Sequence, residues 1–117
     1  MSVDEKVISC IFNELLVEDV NLYEKNIAEI DISNEDAKSF YSKMAKVMSN
    51  LNEEEKRDIY NFFKIVITDT ASVILGTIDG THMVNGLDED FSISYGHVDI
   101  KGDLQDLFLE KAEGLIK

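Results

Sequence analysis

The segment Asp58–Gly80, DIYNFFKIVITDTASVILGTIDG, is the most apolar stretch of the chain and divides it in two. All six glycines (Gly76, Gly80, Gly86, Gly96, Gly102 and Gly114) lie at or beyond its end, and proline is absent. Within it, Ile59, Phe62, Phe63, Val66, Thr70, Val73 and Ile74 fall on one helical face, which Tyr60, Ile65, Ile67 and Ala71 widen. A helix this broadly apolar is expected to sit centrally, with neighbours on more than one flank. The β-branched run Ile65–Thr70 would by itself suit a strand. Length decides for helix, because about twenty residues without a turn signal exceed an ordinary strand. Gly76 or Gly80 is expected to end it.

Upstream, the chain reads as helix-forming sequence. Ser2 and Glu5 form an S-x-x-E capping box, and Val3, Val7, Ile8, Ile11, Phe12, Leu15 and Leu16 recur at helical spacing behind it. Cys10 lies beside that face, with acids nearby, and its expected role is packing. A short second helix is expected over about Val20–Glu29, followed by a turn at Asp31–Asn34; an extended piece at Ile30–Ile32 is the alternative. Ser33 with Asp36 signals a third helix, with Ala37, Phe40, Tyr41, Met44, Val47, Met48 and Leu51 as its inward stripe. Asn52 with Glu55 announces the fourth. The acids Glu53, Glu54 and Glu55 then occupy its first turn, where the helix dipole favours them, so they are read as structural.

Downstream, the pattern changes. Asp79-Gly80 and Asn85-Gly86 mark turns, with a short strand expected at Thr81–Val84. Phe91, Ile93 and Tyr95 alternate with serines, Val98 and Ile100 flank Asp99, and Gly96-His97 between the runs reads as a tight hairpin turn. An isolated hairpin is marginal, so its apolar face is expected on the helices. Asp103 with Asp106 caps a closing helix bearing Leu104, Leu107, Phe108, Ala112 and Leu115. The expected architecture is a mainly helical α+β domain spanning residues 1–117: about four N-terminal helices, a small antiparallel hairpin and a closing helix.

The formal charge is −13 over 117 residues. Such a balance opposes binding to phosphate backbones and anionic lipid, and suits a basic protein partner. Its distribution is uneven. Residues 1–36 carry ten acids and two bases, residues 37–64 four acids and six bases, and residues 65–100 six acids and no Lys or Arg. A single cysteine rules out an internal disulfide and fits a reducing compartment. The start MSVDEKVISC lacks a signal-peptide pattern, and Lys64, Asp69 and Asp79 interrupt the richest apolar run. A cytoplasmic protein is therefore expected.

Signatures of chemistry are sparse. His82 and His97 have no ligand partner at H-x-x-x-H spacing, and Cys10 lies far from both. Asp88, Asp90, Asp99 and Asp103 are the best oxygen set for a cation, but Asp88-Glu89-Asp90 lacks the continuing alternation and final glutamate of an EF-hand loop. Ser92 and Ser94 near His97 are explained as the solvent face of a strand, and Asp79 with His82 is a spacing that recurs by chance. The glycines of ILGTIDG lack the lysine and hydroxyl of a phosphate-binding loop. No enzyme activity, cofactor or metal is expected. What remains is an acidic region expected to bind a partner: Asp79, Asp88, Glu89, Asp90, Asp99, Asp103 and Asp106, interleaved with Tyr95 and His97.

The segments Leu75–Gly80 and Gly102–Glu110 resemble a pattern seen in small bacterial proteins. In size and charge the whole chain is similar to the immunity proteins of contact-dependent and polymorphic toxin systems. That resemblance implies docking on a cognate toxin, often a basic nuclease, and blocking of its active site. It carries over no individual residue. A helical interaction protein, as a homodimer or otherwise, a small-ligand or metal-binding domain, and a mimic of nucleic-acid charge are the alternative expectations.

Overall fold

A computed structural model describes residues 1–33 and 38–115. Its elements are α1 (Val3–Phe12), a π-helical segment (Asn13–Glu18), α2 (Asp19–Ala28), α3 (Phe40–Ser49), α4 (Glu53–Asp79), β1 (Ser94–Tyr95), β2 (Val98–Asp99) and α5 (Leu104–Leu115). The mainly helical α+β architecture is the one read from the sequence.

The expected first two helices are one rod. The π-helical segment carries it from α1 into α2, with the Asp19 N–H donating to the Glu14 carbonyl five residues back. The wider turn leaves Leu16 and Val20 both buried. On its outer side it crowds Glu14, Glu18 and Asp19. The Glu14 carboxyl is raised above its ordinary pKa, first by a hydrogen bond with Glu18 and then by the charges of Glu18 and Asp19. At the rod's start, Ser2 Oγ accepts the Glu5 N–H, and its hydroxyl donates to Asp4. After the rod, the Ser33 N–H and hydroxyl both donate to Asp31 Oδ1, closing the expected turn.

The expected Ser33–Asp36 signal and Ala37 reach into a segment about which the structure says nothing. Asn34–Ala37 lie outside the described residues, and the helix begins at Phe40 with Ser39 Oγ accepting the Ser42 N–H. The inward stripe also differs. Ala45 and Met48 are buried, while Phe40, Tyr41 and Val47 are exposed, the Phe40 ring lying under the Lys43 ammonium. Shifting the start to residue 40 shortens α3 to the part that faces α2.

α4 is the scaffold expected. Asn52 and Glu55 make the full reciprocal capping box, and Gly80 ends the helix in the left-handed conformation (φ 84°). At about 1.5 Å per residue it runs roughly 40 Å, and it carries two cores rather than one. Its C-terminal half packs Ala71 and Leu75 against Ile8, Leu16, Ile100, Leu104 and Phe108. Its N-terminal half packs Tyr60 against Val20, Ile27, Ala45 and Met48. The rod thus lies antiparallel to α4, and Ile67 touches both clusters. The molecule is elongated, 52 × 33 × 26 Å, with a radius of gyration of 17.9 Å where a compact domain of about this size has roughly 13 Å.

Neighbours pack on α4 in two clusters, as a broad apolar face implies, but among the described residues one flank stays uncovered. Phe62, Val66, Val73 and Ile74 are exposed there. By length and composition α4 is also apolar enough to cross a membrane, with an 18-residue window of mean hydropathy 1.3. Of that window 28% is buried, on the flank that the two cores occupy.

Candidate functional site

Thr81–Val84 is not a strand, and no strand forms between the two turns. Thr81 and His82 instead donate their N–H groups to the Gly76 carbonyl, closing the end of α4. The hairpin exists but is two residues per strand, with Tyr95 opposite Val98 and Ser94 opposite Asp99. Gly96 has a φ of 63° while His97 does not enter positive φ, which makes the loop a type II′ turn. One further bond, from the Ile100 N–H to the Ile93 carbonyl, extends the pairing.

The hairpin's apolar side does not lie on the helices as expected. Only Ile93 and Ile100 reach the core; Phe91, Tyr95 and Val98 stay in solvent. From Thr81 to Asp99 every residue except Ile93 is exposed. The segment is an arm standing off the helical body. Met83 is 81% exposed and Tyr95 55%, and Val84, Leu87, Phe91 and Val98 are open as well. Between these apolar groups stand Asp88, Glu89, Asp90 and Asp99, without a Lys or Arg in the segment.

The sequence-predicted residues fall into three places. Asp88, Glu89 and Asp90 lie together on the arm, beside a small hollow shared with His82, Met83 and Phe91. Tyr95, His97 and Asp99 belong to the hairpin, where Asp99 Oδ1 accepts the Lys101 N–H at 3.1 Å. Asp79, Asp103 and Asp106 gather at the start of α5. There Asp79 serves the fold, its Oδ1 accepting the Gly102 N–H and its Oδ2 the Gln105 N–H, each at 2.8 Å. The cap that the sequence assigned to Asp103 with Asp106 is therefore supplied by Asp79 from the end of α4.

Beside that cap lies a contact that sequence spacing did not reveal. Gln105 Nε2 donates to the Ser72 carbonyl and hydroxyl, and Thr81 Oγ1 donates to Gln105 Oε1 at 2.7 Å. A Cβ on Gly76 would come within 2.5 Å of Gln105 Nε2, so any side chain there would push the Gln105 amide out of these bonds. The G-x-x-x-G of α4 is thus one close-packing site followed by one helix cap.

Asp88, Asp90, Asp99 and Asp103 do not converge on a cation position. Among the described residues no group of three or more His, Cys, Asp or Glu is placed to hold a metal ion. A second feature missed from sequence is a groove of about 600 Å³ between α2, α3 and α4, with Tyr60, Arg57 and Lys64 along one wall. Its signal was the i, i+3, i+7 spacing of those three on α4, which has meaning only once α2 and α3 are known to lie opposite. In comparisons with protein-family models, curated proteins and solved structures, nothing matches the chain.

Proposed function

We propose that the protein is a non-enzymatic binding domain whose arm, Thr81–Asp99, docks on a basic protein surface. The observation that carries this reading is the arm's make-up: exposed apolar side chains set among carboxylates, without Lys or Arg. Steering by the overall −13 charge would speed encounter with a cationic partner, and Tyr95, Phe91 and Met83 would supply desolvated contact. An immunity protein that covers the cationic active site of a nuclease toxin is the concrete form, acting in the cytoplasm where Cys10 stays reduced.

The test is to look immediately upstream of this chain's gene for a large secreted protein with a variable C-terminal domain, and to measure binding to that domain, with nuclease inhibition as a second readout. Affinity should fall steeply between low and high salt. The triple variant Asp88→Lys, Glu89→Lys, Asp90→Lys should bind at least about tenfold more weakly. Its melting temperature should hardly move, since none of the three carboxylates is buried. Equal affinity for the variant, or none of the salt dependence, would place the contact elsewhere.

A second reading has one observation in its favour, the uncovered stripe Phe62, Val66, Val73 and Ile74 on α4. Interaction through a helical face, as a homodimer, would cover it. Sedimentation should then give a dimer that Val66→Glu with Val73→Glu converts to monomer. A wild-type chain that sediments as a monomer at high micromolar concentration would remove this reading.

A further inference from the structure

A concavity on the opposite half of α4 from the arm is large enough for a small molecule. Its volume is about 600 Å³, within the range of roughly 300–1,000 Å³ typical of small-ligand sites. The floor is apolar: Ile27 of α2, Ala45 and Met48 of α3, and the ring of Tyr60 of α4. The rim is not. Lys56, Arg57 and Lys64 line it, and Arg57 is the single arginine of the chain.

The charges on this rim are largely unpaired. Lys56 is engaged by Glu53 at 3.2 Å. Among the described residues, neither Arg57 nor Lys64 has a carboxylate within ion-pair distance. The opposing wall contributes Glu24, whose charge, after burial, helps raise the Tyr60 hydroxyl above its ordinary pKa. Three cations against Glu24 and Glu53 leave a local excess of positive charge in a chain of net −13. Tyr60, on the same wall as Arg57 and Lys64, makes no side-chain hydrogen bond to another described residue.

From this arrangement we infer that the groove binds an amphipathic organic anion, a carboxylate on an apolar body of medium-chain fatty-acid size. The tail would lie on Ile27, Ala45 and Met48, and the carboxylate would be taken by Arg57 and Lys64. Arginine suits that role because its planar fork matches a carboxylate in two parallel bonds. A peptide partner is disfavoured by the volume, which holds a single ligand-sized body, and a cation by the sign of the rim.

The experiment titrates full-length protein with dodecanoate below its micellar concentration, by calorimetry and by methyl NMR. Expected are one saturable site and shifts centred on Ala45, Met48 and Ile27. Arg57→Gln with Lys64→Gln should weaken binding at least about tenfold, since both charge-assisted contacts are lost. Circular dichroism should be unchanged, because both side chains reach solvent. Ala45→Phe, which fills the floor, should abolish the site without touching the charges. The inference is overturned if dodecanoate gives no saturable binding. It is equally overturned if dodecyltrimethylammonium binds as tightly, if the double variant binds dodecanoate as well as wild type, or if the shifts map to the exposed flank of α4.

Discussion

Phe108→Ala should lower the stability of the protein by about 3–5 kcal/mol, the range for emptying a fully buried aromatic site. Phe108 is 0% exposed and lies edge-on to Phe12, with ring centroids 5.5 Å apart. It is the largest side chain in the core that joins α1, α4 and α5, so no neighbour can expand to fill its place. The loss matters more here than in a compact domain. An elongated molecule divides its apolar burial between two clusters, and ordinary total stability is only about 5–15 kcal/mol. The melting temperature should therefore fall by roughly 10–20 °C. Phe108→Leu, which keeps most of the volume, should lose less than half as much. A fall of only a few degrees for the alanine variant would mean that this end of the molecule contributes little to the cooperative unit. Hydrogen exchange on α5 would show the same result independently.

How much of this was legible beforehand depends on the kind of signal. Local rules worked where one residue decides one hydrogen bond. The Asn52–Glu55 box, the Gly80 cap and the Gly96-His97 turn all stand as the spacing implies. Periodicity located the apolar faces but not their partners. It could not show that α4 carries two cores and leaves Phe62, Val66, Val73 and Ile74 uncovered, because a broad stripe looks the same whether its far side is packed or bare. Nor could it join the first two helices, since a π-helical segment adds a residue to a turn without any marker in composition. Alternation at Phe91–Tyr95 predicted a strand, but only Ser94–Tyr95 forms one, and of the stretch only Ile93 is drawn toward the core. A pairing partner at Thr81–Val84 would have been needed to bury it. Those residues are drawn instead into closing α4, where the Gly76 carbonyl takes two of their N–H groups. The acidic region was visible as charge. Its division into an arm and a helix cap was not, because that depends on contacts more than twenty residues apart in sequence.

Asp79 is where that division has its sharpest consequence. Read from sequence it belongs with Asp88–Asp90 as a docking carboxylate; in the fold both its oxygens are occupied by backbone donors of the α5 entry. Asp79→Ala removes both bonds at once and leaves the Gln105 N–H, which is part-buried, without its acceptor. A helix cap is typically worth about 0.5–2 kcal/mol, and hydrogen bonds to a charged group reach roughly 1.5–3 kcal/mol each. A net cost of about 2–3 kcal/mol follows, between those limits because the site is only partly shielded from water. Asp79→Asn keeps one acceptor oxygen but must turn its amide toward the second donor, so it should lose more than half of the same amount. The damage should be local as well as global. Gln105 is held at the same place by Ser72 and Thr81, so protection of the α5 amides should drop before that of α3. The contrast with the arm then separates the two roles. Asp79→Ala should lower the melting temperature by roughly 8–12 °C, and any effect on partner binding should vanish when the folded fraction is taken into account. The Asp88, Glu89 and Asp90 variant should do the reverse. If Asp79→Ala left the melting temperature unchanged and still weakened binding, the cap would be dispensable and Asp79 would rejoin the docking surface.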